Sequence, residues 1–321
     1  MKVLVQISRF FVAFTFIFSG FVKLVDPLGS SYKFQEYFGV DVLNLEFLIP
    51  YALPFSVILI LAEIMLGVML LVGYLPKFTS WSLLLLILVF LFLTWYSAYY
   101  DKVTDCGCFG DAVKLSTWGT FYKNVVLIAL IIILVWKSKL ITPIISVTLA
   151  KWSTFLSFFT FLYITYYVLV HLPIIDFRPY AIGKSIPEGM KMVGTELPPI
   201  HDFYLETNDG RNLTDDVLAD DKVMLVIAYN ISKSDRDGFS NVKSVTDKAL
   251  QEGYKVYALS ASLDEEFNDI KEEFDLNFDM LFCDETTLKT IIRANPGILT
   301  LQEGVVKGKW NWIAANKVKF N

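Results

Sequence analysis

Apolar residues in the first half of the chain come in long runs. Val3–Val25, Pro50–Tyr74, Trp81–Tyr99 and Phe121–Trp136 approach or exceed the about 20 apolar residues that a helix needs to cross a hydrocarbon core. Val3–Val25 has no small-residue cleavage site after a short apolar stretch, so it reads as a retained anchor. A fifth run, Leu140–Ile174, is too long for one span and carries Lys151. It divides into an interfacial stretch, Leu140–Ala150, and a fifth span, Trp152–His171.

Beyond Ile174 the pattern shortens. Phe203–Arg211 predicts a strand and turn with an Asn-Asp-Gly signal. Val223–Tyr229 is a continuous apolar run of strand length. A helix follows over Asp235–Glu252, with Ser234 as its cap. Then come a strand at Lys255–Ser262, a helix at Asp264–Phe274, a short strand at Met280–Cys283 and a helix at Glu285–Arg293. Gly297–Leu301 and Val305–Trp310 pair across Gln302-Glu303-Gly304 as a hairpin. Strands alternating with helices imply parallel pairing, and a closing hairpin makes the sheet mixed. Helices on both faces and Val223–Tyr229 away from the edge complete the expectation.

Composition sharpens the division. The chain has 321 residues, 55% hydrophobic and 19% charged, against roughly 25% charged in soluble domains. Its net charge of −5 argues against a nucleic-acid partner. Residues 1–174 hold 11 Lys and Arg against 8 Asp and Glu, a net of +3, and the remainder carries −8. The chain therefore reads as a membrane bundle of residues 1–140, a stretch and fifth span over 141–174, a linker over 175–193 and an acidic water-soluble domain over 194–321. Membrane lipids are the first partner this implies.

Five spans put the termini on opposite sides. Lys2, Arg9, Lys77, Lys137, Lys139 and Lys151 lie at one face without acidic neighbours, whereas Lys23, Lys33, Lys102 and Lys114 at the other are diluted by Asp and Glu. The positive-inside rule counts Lys and Arg and favours a cytoplasmic N-terminus. The loop Tyr100–Thr120 and everything after Ile174 are then expected outside, in the periplasm of a bacterial inner-membrane protein.

That loop holds Asp105-Cys106-Gly107-Cys108-Phe109-Gly110-Asp111. A disulfide persists in an oxidising compartment. A Cys-x-Cys bridge closes a very small ring, and strained bridges are more easily reduced. An exchangeable dithiol and a static clip across the loop fit the spacing equally. Two thiolates without a nearby His are too few for a closed zinc site, so no metal is expected. Asp105 directly before Cys106 would raise its thiol pKa and make the pair a better disulfide donor than nucleophile. Cys283, in a predicted strand, reads as a buried inert thiol.

Charges also fall inside the spans. At 100° per residue Arg9, Ala13, Phe16, Gly20 and Lys23 share one arc, and Ser56, Glu63 and Gly67 share another. Small residues on both arcs point them at the bundle interior. Glu63 lies near mid-membrane, where an unpaired charge is costly. Arg9 is its nearest partner by depth and Lys23 the next. A proton-handling or quinone-site carboxylate is one reading. A structural polar lock is the other, favoured because no second titratable group is clearly placed beside Glu63. No cofactor motif is evident, and no motif supports a quinone.

Phe18-Ser19-Gly20-Phe21-Val22-Lys23-Leu24-Val25-Asp26-Pro27 and Glu63-Ile64-Met65-Leu66-Gly67 resemble the signatures of DoxX-like membrane proteins. Cys106-Gly107-Cys108-Phe109-Gly110, with Tyr122-Lys123-Asn124 at the start of span four, resembles the MauE branch of methylamine-utilisation membrane proteins over about residues 1–140. That resemblance implies periplasmic redox maturation, including disulfide formation in a partner enzyme, with Cys106 and Cys108 as the reacting pair; Arg9, Lys23, Glu63 and Lys123 are the intramembrane polar residues. The order of elements after residue 194, opening with Gly194–Ile200, is similar to the thioredoxin superfamily in its TlpA and peroxiredoxin style. Asn295-Pro296 stands where that family carries its cis-proline. Where the family places Cys-x-x-Cys, this chain has Asn230-Ile231-Ser232-Lys233-Ser234-Asp235. A low-pKa thiolate is required there, so the domain is expected to be redox-dead at that site.

Two functions follow. One is an auxiliary of periplasmic thiol–disulfide exchange or electron transfer, in which the degenerate domain holds a periplasmic protein client near Cys106 and Cys108. The other is a non-enzymatic membrane-anchored scaffold whose cysteine pair is a clip.

Overall fold

The computed structural model describes residues 1–103, 107–113, 115–192 and 197–320. It divides into two compact units, Met1–Leu169 and Val170–Asn321.

The first unit is helical. Five helical segments among the described residues are long and apolar enough to cross a membrane: Lys2–Val25, Glu46–Val72, Pro76–Tyr100, Thr117–Trp136 and Val147–Val170. Helix α1 is Lys2–Val25. A shorter helix that no apolar run announces, α2 (Pro27–Phe38), follows at once. Asp26 separates the two and caps α2 by accepting from the Gly29 amide at 3.0 Å, with Pro27 at the first helical position. A 3-10 turn over Glu46–Tyr51 leads into α3 (Ala52–Val72). Helices α4 (Pro76–Tyr100), α5 (Thr117–Trp136) and α6 (Val147–Val170) complete the unit. The interfacial stretch expected over Leu140–Ala150 is instead a short 3-10 turn at Ser138–Leu140, a connection and the first residues of α6. Lys151 sits exposed on α6, so it does not break the helix.

Helices α1 and α3 cross at glycines. A Cβ on Gly20 would lie 2.8 Å from Ile64 Cβ and 2.9 Å from its amide nitrogen, and one on Gly67 would lie 3.0 Å from the Ile17 nitrogen. Any larger residue forces the backbones apart, which is how small residues secure membrane helices. Below this crossing Val12, Phe16, Leu70, Leu83, Ile87 and Ile131 form a closed apolar core.

The second unit is built on a five-stranded mixed sheet. Helices α7 (Ile186–Gly189) and α8 (Thr214–Ala219) precede β1 (Val223–Ile227). Then follow α9 (Gly238–Gln251), β2 (Lys255–Ser260), α10 (Asp264–Glu273), β3 (Asp279–Phe282), α11 (Glu285–Ile291), β4 (Gly297–Gln302) and β5 (Val305–Asn311). The strand order is β3-β2-β1-β4-β5. Strands β1, β2 and β3 are parallel, and β4 runs antiparallel to both β1 and β5. β1 is central and every residue of it is buried, as its unbroken apolar run requires of a strand covered on both faces. Leu225, Leu259, Leu281 and Leu299 pack on one face with Val217 and Leu288 of α8 and α11. Val226, Ala258, Met280 and Ile298 pack on the other with Val242 and Phe267 of α9 and α10.

Several local expectations shift. Phe203–Arg211 is not a strand: only isolated bridges from Glu206 to Asn212 and Phe282 form there. Helix α9 starts at Gly238, so Ser234 is not its cap; the Ser234 hydroxyl donates to Asn230 O instead. Residues 175–192, where the charge pattern marks a linker, fold onto this unit, with Tyr180 and Ile186 in its core. In the opening stretch Gly194–Ile200, residues Gly194, Thr195 and Glu196 lie outside the described residues. The Asn295–Pro296 peptide bond is cis.

Candidate functional site

The site begins at the end of α1 that carries Ser19 and Lys23, one helical turn apart. Lys23 is 6% exposed and Glu63 2%. The Lys23 ammonium donates to both Glu63 carboxylate oxygens, at 2.9 and 3.2 Å. It also donates to Ser19 Oγ at 2.8 Å and to the carbonyl of Cys108 at 2.8 Å. Ser19 donates its own hydroxyl proton to that same carbonyl at 2.6 Å. A buried charge is tolerable when it is paired and its hydrogen-bonding capacity is filled, and this ammonium meets both conditions. The partner ranking from sequence is therefore reversed. Arg9 instead donates to the carbonyls of Leu70 and Leu71 in the last turn of α3, where helix carbonyls lack intrahelical partners, and to that of Thr142 in the connection before α6. Glu63 does have a titratable neighbour, Lys23, which removes the reason first given for preferring a passive lock.

The two sequence signatures meet here. Gly107 has φ +64° and Gly110 φ +49°, left-handed values that glycine takes at no steric cost. Between these turns the Phe109 ring lies 5.5 Å from that of Phe18 and 4.3 Å under the Lys123 ammonium, within cation–π range. Gly107, Cys108, Phe109 and Gly110 thus each lie close to a residue of α1, α2 or α5. Cys108 is half-buried and forms no disulfide among the described residues. Cys106, with Asp105 before it, and Lys114 lie outside the described residues.

Two cavities flank Cys108. One, of about 60 Å³, is lined by Lys23, Lys33, Tyr37, Phe90, Gly107 and Cys108. The other, of about 10 Å³, is lined by Glu63, Lys123, Asn124 and Cys108 among others. Asn124 is 1% exposed; its amide donates to Thr94 Oγ1 at 3.2 Å, while its Oδ1 has no partner among the described residues. Sequence reasoning noted Asn124 only inside a motif. An Asn on the buried face of an otherwise apolar helix was the available signal.

In the second unit the position expected to lack thiols is closed by a polar network. Asn295 donates to Asn230 O at 2.8 Å, and the Ser234 hydroxyl donates to Asn295 Oδ1 at 3.1 Å. The Asp235 amide donates to Asn295 O. Cys283 stands one residue beyond β3, fully buried, and burial pushes its thiol up to about 12. Such a thiol is protonated at neutral pH and a poor nucleophile. A cluster that the sequence did not disclose lies on β5. Lys309 donates to Asp176 Oδ2 at 2.7 Å and to Tyr180 O at 3.1 Å, and Arg178 pairs with the same Asp176 at 2.7 Å. Burial pushes the Asp176 carboxyl up, but Arg178 and Lys309 outweigh it and hold the group below its usual range.

The comparison with known families bears on the first unit. Residues 1–137 match the family described as Methylamine utilisation protein MauE. The MauE-like region therefore contains α1 to α5 and the whole Lys23–Glu63–Cys108 site, and it ends before α6. No curated protein matches the chain. Among the described residues no cluster of His, Cys, Asp and Glu could hold a metal ion.

Proposed function

We propose that this protein is a membrane-anchored auxiliary of thiol–disulfide exchange or electron transfer, with Cys106 and Cys108 as its reacting pair on the outer side of the membrane. The observation that carries the reading is the Lys23 ammonium, which joins the buried Glu63 carboxylate to the backbone carbonyl of Cys108. An ion pair that only tied α1 to α3 would not need to reach the cysteine loop. The MauE-like character of residues 1–137 supports the same class of chemistry. A client thiolate attacks the Cys106–Cys108 disulfide, a mixed disulfide forms, and the second client thiol resolves it. The client leaves oxidised and the pair reduced. Turnover then needs a lipid-soluble two-electron acceptor, for which a quinone is the natural chemical class.

The second unit is read as a thioredoxin-like domain that holds the client without exchanging thiols. Its strand order and its parallel and antiparallel pairings support this, and so does the network of Asn230, Ser234 and Asn295, which offers no thiol. The competing reading, a scaffold with a structural clip, draws on the same two hydrogen bonds to the Cys108 carbonyl, since they also anchor the loop.

Thiol trapping in membranes separates the two. Cys106 and Cys108 should change from disulfide to dithiol under a reductant pulse and recover afterwards. Cys106→Ser and Cys108→Ser should each abolish client oxidation with protein abundance unchanged. Loss of abundance with client oxidation intact would establish the clip.

A further inference from the structure

A cleft of about 260 Å³ opens on the second unit where β5 slips register against β4. Thr300 faces Gly308 but Leu301 faces Val306, so Lys307 is the extra residue of a β-bulge. Bulges re-aim side chains, and Lys307 lines the cleft. Gly308 follows it, and a Cβ there would lie 1.9 Å from the Trp310 ring. Glycine is what lets the indole lie against its own strand as a wall of the cleft. Tyr254 lines it too, with Lys222 Nζ 5.5 Å from its ring centre. Lys319 adds a third ammonium group from the C-terminal segment.

Three lysines around one cleft stand out in a region of net charge −8. Lys307 and Lys319 have no ion-pair partner among the described residues. Asp221, the one acid in the lining among the described residues, is engaged by Gln302 at 3.0 Å. Thr300 is 3% exposed, lines the cleft, and its hydroxyl makes no hydrogen bond among the described residues. Cations, a free hydroxyl donor and flat aromatic walls together select a ligand that is strongly anionic at one end and flat at the other.

We propose that this cleft binds a phosphomonoester whose organic group is a flat ring, with Lys307, Lys319 and Thr300 holding the phosphate and Trp310 and Tyr254 flanking the ring. The site is separate from the cysteine chemistry and does not depend on it. The test uses the full-length protein in detergent and equilibrium dialysis with labelled phenyl phosphate. Saturable binding with one site per chain is expected. It should weaken at least tenfold in the Lys307→Gln/Lys319→Gln variant and several-fold in Thr300→Val. Raised salt should weaken it as well, since exposed charges are screened. Phenol should not compete, and inorganic phosphate should compete only weakly. Competition by AMP assigns the ring to a nucleoside, and its failure assigns it to a simple aryl ester; either result sustains the proposal. Absence of saturable binding by both phenyl phosphate and AMP would overturn it. So would equal binding by the double lysine variant, with unfolding temperatures matched to confirm its fold.

Discussion

Lys23 reaches the Glu63 carboxylate, the Ser19 hydroxyl and the Cys108 carbonyl from one position on α1. The arcs of the helical wheel identify the buried faces of α1 and α3 without difficulty, because face depends only on a period of 3.6 residues. Height is harder to read. A lysine carries its charge several ångströms from its own Cα, so depth along the sequence ranks Arg9 above Lys23 when the structure pairs Lys23. The pair also sets a stability expectation. Removing one partner of a buried ion pair typically costs about 3–5 kcal/mol, whereas replacing both with apolar groups is often neutral. Glu63→Leu should therefore lower the unfolding temperature in detergent sharply, and Lys23→Met/Glu63→Leu should recover most of the loss. A Glu63→Leu protein as stable as the wild type would mean that the pair contributes nothing to the fold.

Among the elements, those marked by long apolar runs or by strand-length apolar runs were legible, and those held by side-chain chemistry were not. Helix α2 has a mixed surface, so no periodicity announces it; the Asp26 cap and Pro27 do, at the scale of single residues. Residues 175–193 read as a linker, and Asp176 and Arg178 fall within it. In the structure Asp176 pairs with both Arg178 and Lys309 of β5, and Arg178 also donates to Thr290 O, so the charges fasten the segment to the sheet. Burial, with Arg178 and Arg293 adding to it, brings Lys309 from 10.5 down to about 8, against the pull of Asp176. Between these two values the unfolded chain keeps a proton that the folded one has released. Stability of this unit should therefore rise with pH from about 8 to 10.5, and below 8 the full cost of the buried charge is present. At about 1.4 kcal/mol per unit, the rise is bounded at about 3 kcal/mol. Denaturant unfolding of wild type and Lys309→Met across pH 7–10.5 isolates it. The variant should lack this part of the rise, and parallel curves would refute the assignment.

At the scale of the whole molecule the remaining question is which way the chain threads the membrane. The contacts within the first unit fix the alternation. Lys23 near the end of α1 meets Cys108 in the connection after α4, and Arg9 near the start of α1 meets the end of α3 and Thr142. Each pair must share a side, as five alternating spans require. The direction rests on charge. Arg9 and Lys23 are buried in the bundle and drop out of the count. That leaves Lys2, Lys77, Lys137, Lys139 and Lys151 at one face against Lys33, Lys102, Lys114 and Lys123 at the other. The richer face belongs in the cytoplasm. The N-terminus should then be inside, with the cysteine loop and the sheet unit outside. A fusion after Asn321 should give active alkaline phosphatase and dark green fluorescent protein, and a fusion after Lys139 the reverse. A fluorescent fusion after Asn321 would invert the topology and leave Cys106 and Cys108 facing a reducing cytosol, where a standing disulfide is disfavoured; the thiol-exchange reading would fall with it.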